Sequence, residues 1–483
     1  MFCVLCVFCV LRRKAEKIEA LWDGSIVLLF VFLDVSRAMP SRTITLSDMK
    51  RASFHTLGCR LNQADSALLA ADLADHGYEI VPWGEEADVL VIDSCAVTAV
   101  ASQKSRQAVT SARKQHPEAY LVVCGCAATD PQLLQGKGAC LADLLLPNPK
   151  PKSLAALLPE EPRHVEHPAV APQSPIPHCE GFTIPGVGLY SERTRANLKV
   201  QDGCSFRCTY CIVPSVRGPA RSRDLEDIVR EARALIERGY RELVLTGVNV
   251  ATYRQGDADL AAVLERILEL PGDFRLRLGS VEPGPLLDRV IDLMARDERM
   301  CRFLHLPLQN GDAEILRRMA RRYTLEEYAR TVELAAEKVP GICLGTDIMV
   351  GFPGEDEAAF QRCYDYLARL PLSLMHVFCY SPRPGTPAAT WPGRPTGDVS
   401  HVREERLLEL AADKARAFAA SQVGQKVKVL LETGEPAIHG WSDNYLKVVL
   451  PQRDSLDSNT FLECRIAGVL PGVEREVAGE IDD

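Results

Sequence analysis

Apolar and polar positions recur in two rhythms along this chain, and the changes between them mark out its parts. Between Asp224 and Gly239, Leu225, Ile228, Val229, Ala232, Leu235 and Ile236 return with the period of a helix, and Gly239 suits its C-terminal stop. From Ala52 to about Leu146, strand-like runs alternate with helical stretches: ASFHTLGC, a helix from Gln63 to His76, DVLVIDSC, a helix from Ser102 to Gln115, then AYLVVCGC. That alternation predicts a parallel sheet with crossover helices.

A second series runs from Leu198 to about Ser381. Its strands are LKVQ (198–201), ELVLTG (242–247), RLRLGS (275–280), RFLHLP (302–307), ICLGTDIMVG (342–351) and LMHVFCYS (374–381). A helical stretch follows each of the first five, which predicts a partial barrel of six βα units. From Gly424 the texture changes to short alternating strands, KVKVLLE, YLKVVL and ECRIAGVL, as in a small all-β barrel. Between the two α/β parts, 147–185 is proline-rich and reads as an extended arm. The expected fold class is α/β, divided into an extension outside the fold (1–50), a parallel-sheet domain (51–146), a Pro-rich linker (147–188), a partial (βα)6 barrel (189–420) and a small all-β barrel (421–483).

Composition changes this picture little. The 483 residues are 47% hydrophobic and 25% charged, ordinary for a globular protein. The net charge of −9 excludes a generally basic nucleic-acid binder, so any RNA contact must come from local patches. Seventeen cysteines, grouped by motif, suggest metal ligation in a reducing compartment and not a disulfide framework. The apolar run 25–33 has nine residues, too short to span a bilayer; with Arg12, Arg13 and Lys14 upstream it has the length of a signal-peptide core. Residues 1–38 are expected to be an extension, with Met39 or Met49 as the functional start, in a cytoplasmic protein without a membrane.

The cysteines carry the chemistry. Cys204, Cys208 and Cys211 stand in GCSFRCTYCIVP with the spacing C-x3-C-x2-C, in a loop that follows the first barrel strand. Three thiolates on one loop hold three irons of a four-iron cluster and leave the fourth iron open, whereas structural zinc wants four ligands. Cys59, Cys95 and Cys126 each end a strand of the N-terminal sheet, where the ligand crevice of an open α/β sheet lies. They are expected either to converge on a second cluster or to be small core residues. Cys124, in the strand before Cys126, should point to the other side of the sheet. Cys3, Cys6 and Cys9 have no strand–helix frame, and Cys140 and Cys179 have no motif.

The run CSFRCTYC resembles the signature of the radical S-adenosylmethionine (SAM) superfamily. The three-part order, with TLGCRLNQ (56–63), SCAVTAVASQKSRQ (94–107), CIVPSVRGPARSR (211–223), LTGVNVATY (245–253), HLPLQNGDAEILRRMARRYT (305–324), DIMVGFPGEDEAAF (347–360) and FCYSPRPGTPAA (378–389), resembles the radical SAM tRNA methylthiotransferase family. TLGC-x-x-NQ and C-x-VT followed by KSRQ point to the branch acting on N6-threonylcarbamoyladenosine. The isopentenyladenosine branch and the branch acting on a ribosomal-protein aspartate are the alternatives among enzymes. A non-catalytic iron–sulfur RNA-binding sensor is the alternative of another class.

The resemblance implies an enzyme that replaces the C2 hydrogen of the modified adenosine at tRNA position 37 with a methylthio group. It implies two [4Fe–4S] clusters, on Cys204, Cys208 and Cys211 and on Cys59, Cys95 and Cys126, together with SAM and a flavodoxin- or ferredoxin-like electron donor. Tyr210 is implied beside the first cluster, and Thr246, Gly247, Asn249, Ser280, Glu282, Gln309 and Asp347 are implied as SAM contacts. Gly351 to Gly354 are expected to shape the turn after their strand. Arg217, Arg221 and Arg223 are expected to draw tRNA phosphates to the barrel mouth, with Arg317, Arg318, Arg321 and Arg322 as a second basic group. The last domain resembles the tRNA-associated TRAM module, although 424–483 carries six Lys and Arg against eleven Asp and Glu. Lys426, Lys428, His439, Trp441, Tyr445 and Lys447 would form its contact face.

Overall fold

The computed structural model describes residues 49–129, 141–151, 153–165, 169–171, 181–190, 194–432, 438–451, 456–472 and 475–481. The apolar run 25–33 and Cys3, Cys6, Cys9, Cys140 and Cys179 lie outside the described residues.

Six parallel strands form the first sheet in the order β2 (Glu79–Val81), β1 (Arg51–Thr56), β3 (Val89–Ser94), β4 (Tyr120–Gly125), β5 (Leu144–Leu146), β6 (Ala169–Val170). Strands β3 and β4 are buried throughout because helices cover both faces, which is why they read as near-continuous apolar runs. Leu90, Ile92, Leu121 and Val123 pack with Val109 and Ala112 of the helix Ala99–Gln115. Val89, Val91, Val122 and Cys124 face the other way, with Leu69 and Leu73 of the helix Arg60–Asp75. Cys124 and Cys126 do separate to opposite sides, but not by alternation, which places positions two apart on one face: β4 ends at Gly125, whose φ is 90°, and Cys126 opens a short helix. Both helices begin three residues earlier than their apolar periodicity suggests. Cys59 enters the first in extended geometry, and the Thr98 hydroxyl caps the second by accepting from Ala101 N at 3.0 Å.

The stretch expected as a free linker is partly structural. Strand β6 extends the sheet, Leu154 is buried, and the Lys150 ammonium is buried against Asp93 and Asp65. Proline-rich composition hid these anchors, because an isolated Leu or Lys carries no periodic signal.

The six expected barrel strands are present and parallel: β7 (Arg195–Lys199), β10 (Glu242–Thr246), β13 (Arg275–Leu278), β14 (Phe303–His305), β15 (Cys343–Val350) and β16 (Leu374–Cys379). Bridges Leu276–Met300 and Ser280–His305 join the two three-stranded halves. Two antiparallel pairs decorate them: β8 (Gln201–Asp202) with β9 (Arg221–Ser222), and β11 (Arg254–Gln255) with β12 (Ala258–Asp259). The first pair closes the neck of the cysteine loop. Outward-facing Leu198, Leu243, Leu245, Leu276, Leu304, Leu344 and Ile348 pack on the surrounding helices in one large core. Inward-facing positions are largely polar: Asn197 and Lys199, Glu242 and Thr246, Arg275 and Arg277, His305, Asp347, His376.

A closed five-stranded barrel follows, in the order β17 (Lys426–Glu432), β18 (Ile438–Ser442), β19 (Lys447–Leu450), β21 (Glu476–Glu480), β20 (Phe461–Val469). Its β18–β19 turn forms the floor of the large barrel. Arg275 donates to Trp441 O (3.0 Å) and Arg277 to Ser442 O (3.1 Å), while both pair with Glu242 and the Tyr445 ring lies 4.5 Å from that of Phe303. Burial alone would lift the Glu242 carboxyl, but Arg277 and Arg275 hold it well below the usual range.

Candidate active site

The cysteine loop leaves β8 through Gly203, whose φ is 70° and whose Cβ, if present, would stand 2.0 Å from Pro219 O. Only glycine fits there. Cys204 N donates to Gly218 O and Cys211 N to Cys208 O, each at 3.0 Å, which folds the three thiols toward one another. Burial pushes the Cys211 thiol up to about 12, with the neighbouring Cys208 and Cys204 adding to the rise, and burial likewise lifts Cys204. Such thiols ionise when a cation takes their charge, so the donor set fits an iron cluster. Tyr210 packs into the apolar group of Met319, Met349 and Phe352.

Arg321 ties this loop to the barrel. Its guanidinium lies 3.5 Å from Cys208 Sγ and 3.3 Å from the Tyr210 hydroxyl, and it pairs with Glu282 at 2.8 Å. Arg322 stacks 3.9 Å over the Phe206 ring inside the loop, Arg318 stacks on Trp391, and Arg317 pairs with Glu314. The sequence pattern presented these four as one charged helix end; Arg321 instead turns inward to the loop, while Arg322 stays exposed over Phe206.

Thr246 is buried at the end of β10. Beside it, a Cβ on Gly247 would meet Gln201 Oε1 at 2.9 Å, the atom that accepts from Val248 N and Asn249 N and so shapes the turn. Asn249 is buried near Glu282, and its side-chain Oδ1 and Nδ2 both lack a hydrogen-bond partner among the described residues. Burial raises the Glu282 carboxyl against the pull of Arg321. Gln309 takes a left-handed φ of 77° and its backbone bonds to Asp347 O and Met349 N. Ser280 and Asp347 fall in a different group, bonded to His305 and His376. Glu355 accepts from Gly351 N, so the Gly351–Gly354 segment is a built turn, as expected.

Cys59, Cys95 and Cys126 converge. A Cβ on Gly58 would touch the Cys95 Sγ at 2.9 Å, and Cys59 and Cys95 each press on the ionisation of Cys126, which burial pushes up to about 11 against the pull of Arg217. The three sit at the crevice edge of β1, β3 and β4, beside the loop that carries the other three.

Arg217, Arg221 and Arg223 correct the expectation of phosphate contacts. All three are buried: Arg217 binds Asp202, Asn62 and Asp65, Arg221 pairs with Asp202 at 3.5 Å, and Arg223 is clamped by Asp227 and Glu231. Carboxylate partners among the described residues offset their charge, and burial withdraws all three side chains from the surface that tRNA could reach. A cavity of about 880 Å³ opens instead between the first sheet and the barrel wall, lined by Arg60, Gln63, Trp83, Tyr190, Arg195 and Asn197.

Residues 198–367 match the radical SAM superfamily, and residues 51–140 match uncharacterized protein family UPF0004. The threonylcarbamoyladenosine tRNA methylthiotransferase MtaB of Bacillus subtilis (strain 168) is 33% identical over 412 residues, 83% of this chain and 90% of that protein. This chain belongs to the radical SAM tRNA methylthiotransferases. Membership in that family carries SAM and a [4Fe–4S] cluster as cofactors. The MtaB of Aquifex aeolicus (strain VF5) is 36% identical over 79% of this chain and 92% of its own length. A tRNA-2-methylthio-N(6)-dimethylallyladenosine synthase of Moorella thermoacetica is 35% identical over 78% and 86%. Among the described residues of this family member, no helix is long and apolar enough to cross a membrane.

Proposed function

We propose that this methylthiotransferase acts on tRNA carrying N6-threonylcarbamoyladenosine at position 37 and replaces the C2 hydrogen of that base with a methylthio group. What supports this reading is the buried Arg217, which joins Asp202, two residues before Cys204, to Asn62 on the helix that Cys59 begins and lies near Cys126, so that the two cysteine sets share one ion network. A radical enzyme that only abstracts hydrogen needs one cluster; inserting sulfur calls for a second place to hold it.

Cys204, Cys208 and Cys211 would hold the cluster that leaves one iron to SAM, and Cys59, Cys95 and Cys126 a second [4Fe–4S] cluster. Bound there, cluster and SAM supply a one-electron cleavage strong enough to take an unactivated C–H hydrogen, which no side-chain base can remove. The chain's own residues orient and exclude water. Arg321 neutralises Glu282 and braces the loop, Asn249 Oδ1 and the Glu282 carboxylate offer acceptors for the SAM ammonium, and Thr246, Gly247 and Gln309 border the same space. The cavity lined by Arg60 and Trp83 would receive the RNA loop, with charge for phosphate and an indole for stacking. A flavodoxin- or ferredoxin-like protein would deliver the electron, and the cytoplasm is the compartment that suits such thiols.

Nucleoside analysis of tRNA from cells lacking the gene tests the assignment. The methylthio form of threonylcarbamoyladenosine should vanish and return with the wild-type gene but not with Cys204→Ala. Loss of the methylthio isopentenyl form instead would overturn it.

A further inference from the structure

Inside the barrel, the inward-facing positions stack in layers. Phe303, Cys343 and Leu374 form an apolar floor with Tyr445 beneath them, and Met349 and Phe378 belong to the levels near Tyr210 and the cysteine loop. Between these layers stand His305, Asp347 and His376, on three adjacent strands. His305 Nε2 and His376 Nδ1 each lie 3.3 Å from Asp347 Oδ1. The Ser280 hydroxyl meets His305 Nδ1 at 2.9 Å and fixes the ring from behind. Position 345 is glycine, and a Cβ there would stand 2.8 Å from His305 Cδ2, so the missing side chain makes room for the ring.

Two features mark this group as more than a packed ion pair. His305 Nε2 is buried and makes no directed hydrogen bond among the described residues, although Asp347 is close. His376 is 57% exposed, so its far edge faces open space while its near edge is anchored on Asp347. The protein holds a polar shelf over an apolar floor, at mid-depth in the barrel.

We propose that His305, Asp347 and His376 form the subsite for the N6 substituent of the target adenosine, and that it takes an anionic, hydrogen-bonding substituent. This rests on the substrate assigned above and names what reads it. On adenine, C2 and the N6 group leave the ring in different directions, so a base that turns C2 to the cysteine loop directs its N6 group away from it, into the barrel wall. His376 then meets the substituent's carboxylate, with Asp347 behind it as counter-charge, and His305 offers a second nitrogen. An apolar substituent would leave both rings facing a group that cannot bond, the arrangement that discriminates most strongly against an analogue lacking polar atoms. His376 is the specificity residue. Asp347, Ser280 and Gly345 position it and His305.

The test uses holoenzyme and anticodon stem-loops bearing threonylcarbamoyladenosine, its carboxyl methyl ester, or isopentenyladenosine. His376→Ala and His305→Ala should each weaken binding of the first RNA by about tenfold or more, roughly the loss of one charge-assisted hydrogen bond, and should erase the preference over the methyl ester. SAM affinity and iron content should stay at wild-type values. His376 is exposed, so its variant reports even if His305→Ala misfolds. An unchanged preference in His376→Ala overturns the subsite. So does a fall in SAM affinity with RNA affinity intact, which would give the group to the cofactor. Stoichiometric zinc in the wild type that His376→Ala abolishes would make it a metal site and overturn it too. A wild type that modifies only the isopentenyl RNA defeats the substrate assignment itself, whereas a wild type selective for threonylcarbamoyladenosine with indifferent variants defeats the subsite alone.

Discussion

Arg217 donates to Asp202 Oδ1 at 2.9 Å, and both side chains are buried. Asp202 precedes the first loop cysteine by two residues, while the other arm of the guanidinium reaches Asn62 and Asp65 on the helix that Cys59 begins. Burial would lift the Asp202 carboxyl, but Lys199, Arg217 and Arg221 keep it ionised well below its usual range. The two cysteine sites are thus fixed to each other by one ion network.

Breaking that network should be costly. Arg217→Met leaves Asp202 and Asp65 without their central partner and is expected to destabilise the fold by about 3–5 kcal/mol, as for other buried pairs that lose one member. Arg217→Lys should recover part of it. Denaturant titration checks both; a loss under about 1 kcal/mol for Arg217→Met would mean that Lys199 and Lys150 suffice.

Iron counting separates the two cysteine sites. Anaerobically reconstituted wild type should carry about eight irons, and a Cys204→Ala, Cys208→Ala, Cys211→Ala chain about four. The matching triple variant of Cys59, Cys95 and Cys126 should also keep about four. If the first triple variant keeps none and the wild type holds about four, the N-terminal thiols bind no cluster.

Gly203→Ala should act on one site only. Its left-handed φ and the 2.0 Å approach of Pro219 O leave no room for a methyl group, so the loop neck must open. Reconstituted protein is expected to lose the irons of the Cys204 loop and keep those of the first sheet, about half the total. A full complement of iron would show that the neck tolerates the shift.

Acid sensitivity should trace in part to Glu242. Its folded pKa is depressed by Arg277 and Arg275, so its contribution is fully present above the unfolded value of about 4.3 and fades as pH falls below it. Glu242→Gln should therefore be markedly less stable than wild type at pH 7, with the gap narrowing as pH drops below about 4. Stability measured by denaturant at several pH values checks this, and a gap independent of pH would refute it.

Strand positions and the loop of Cys204, Cys208 and Cys211 were legible because their signals are local: short apolar runs, and a cysteine motif within a dozen positions. The arginines were not. Arg217, Arg221 and Arg223 look like a basic patch in sequence, yet three of their partners, Asn62, Asp65 and Asp202, come from other elements, two of them some 150 residues away. Lys150 was hidden in the same manner inside a proline-rich stretch, its partners Asp93 and Asp65 lying in the sheet before it. His305, Asp347 and His376 gave no joint signal, because parallel pairing brings together positions dozens of residues apart.

In β15, Leu344, Ile348 and Val350 face the helices while Gly345, Asp347 and Met349 face the lumen. A slip of one residue would exchange the two sets, sending the carboxylate into oil and the aliphatic side chains into the reaction chamber. The grip of the helices on their leucines is therefore also the aiming device for the polar groups on the far side of the same strand. Within β15, adaptation of this enzyme to a new substituent must therefore work through the odd-numbered positions, since any change that loosens the even-numbered ones also spoils the aim.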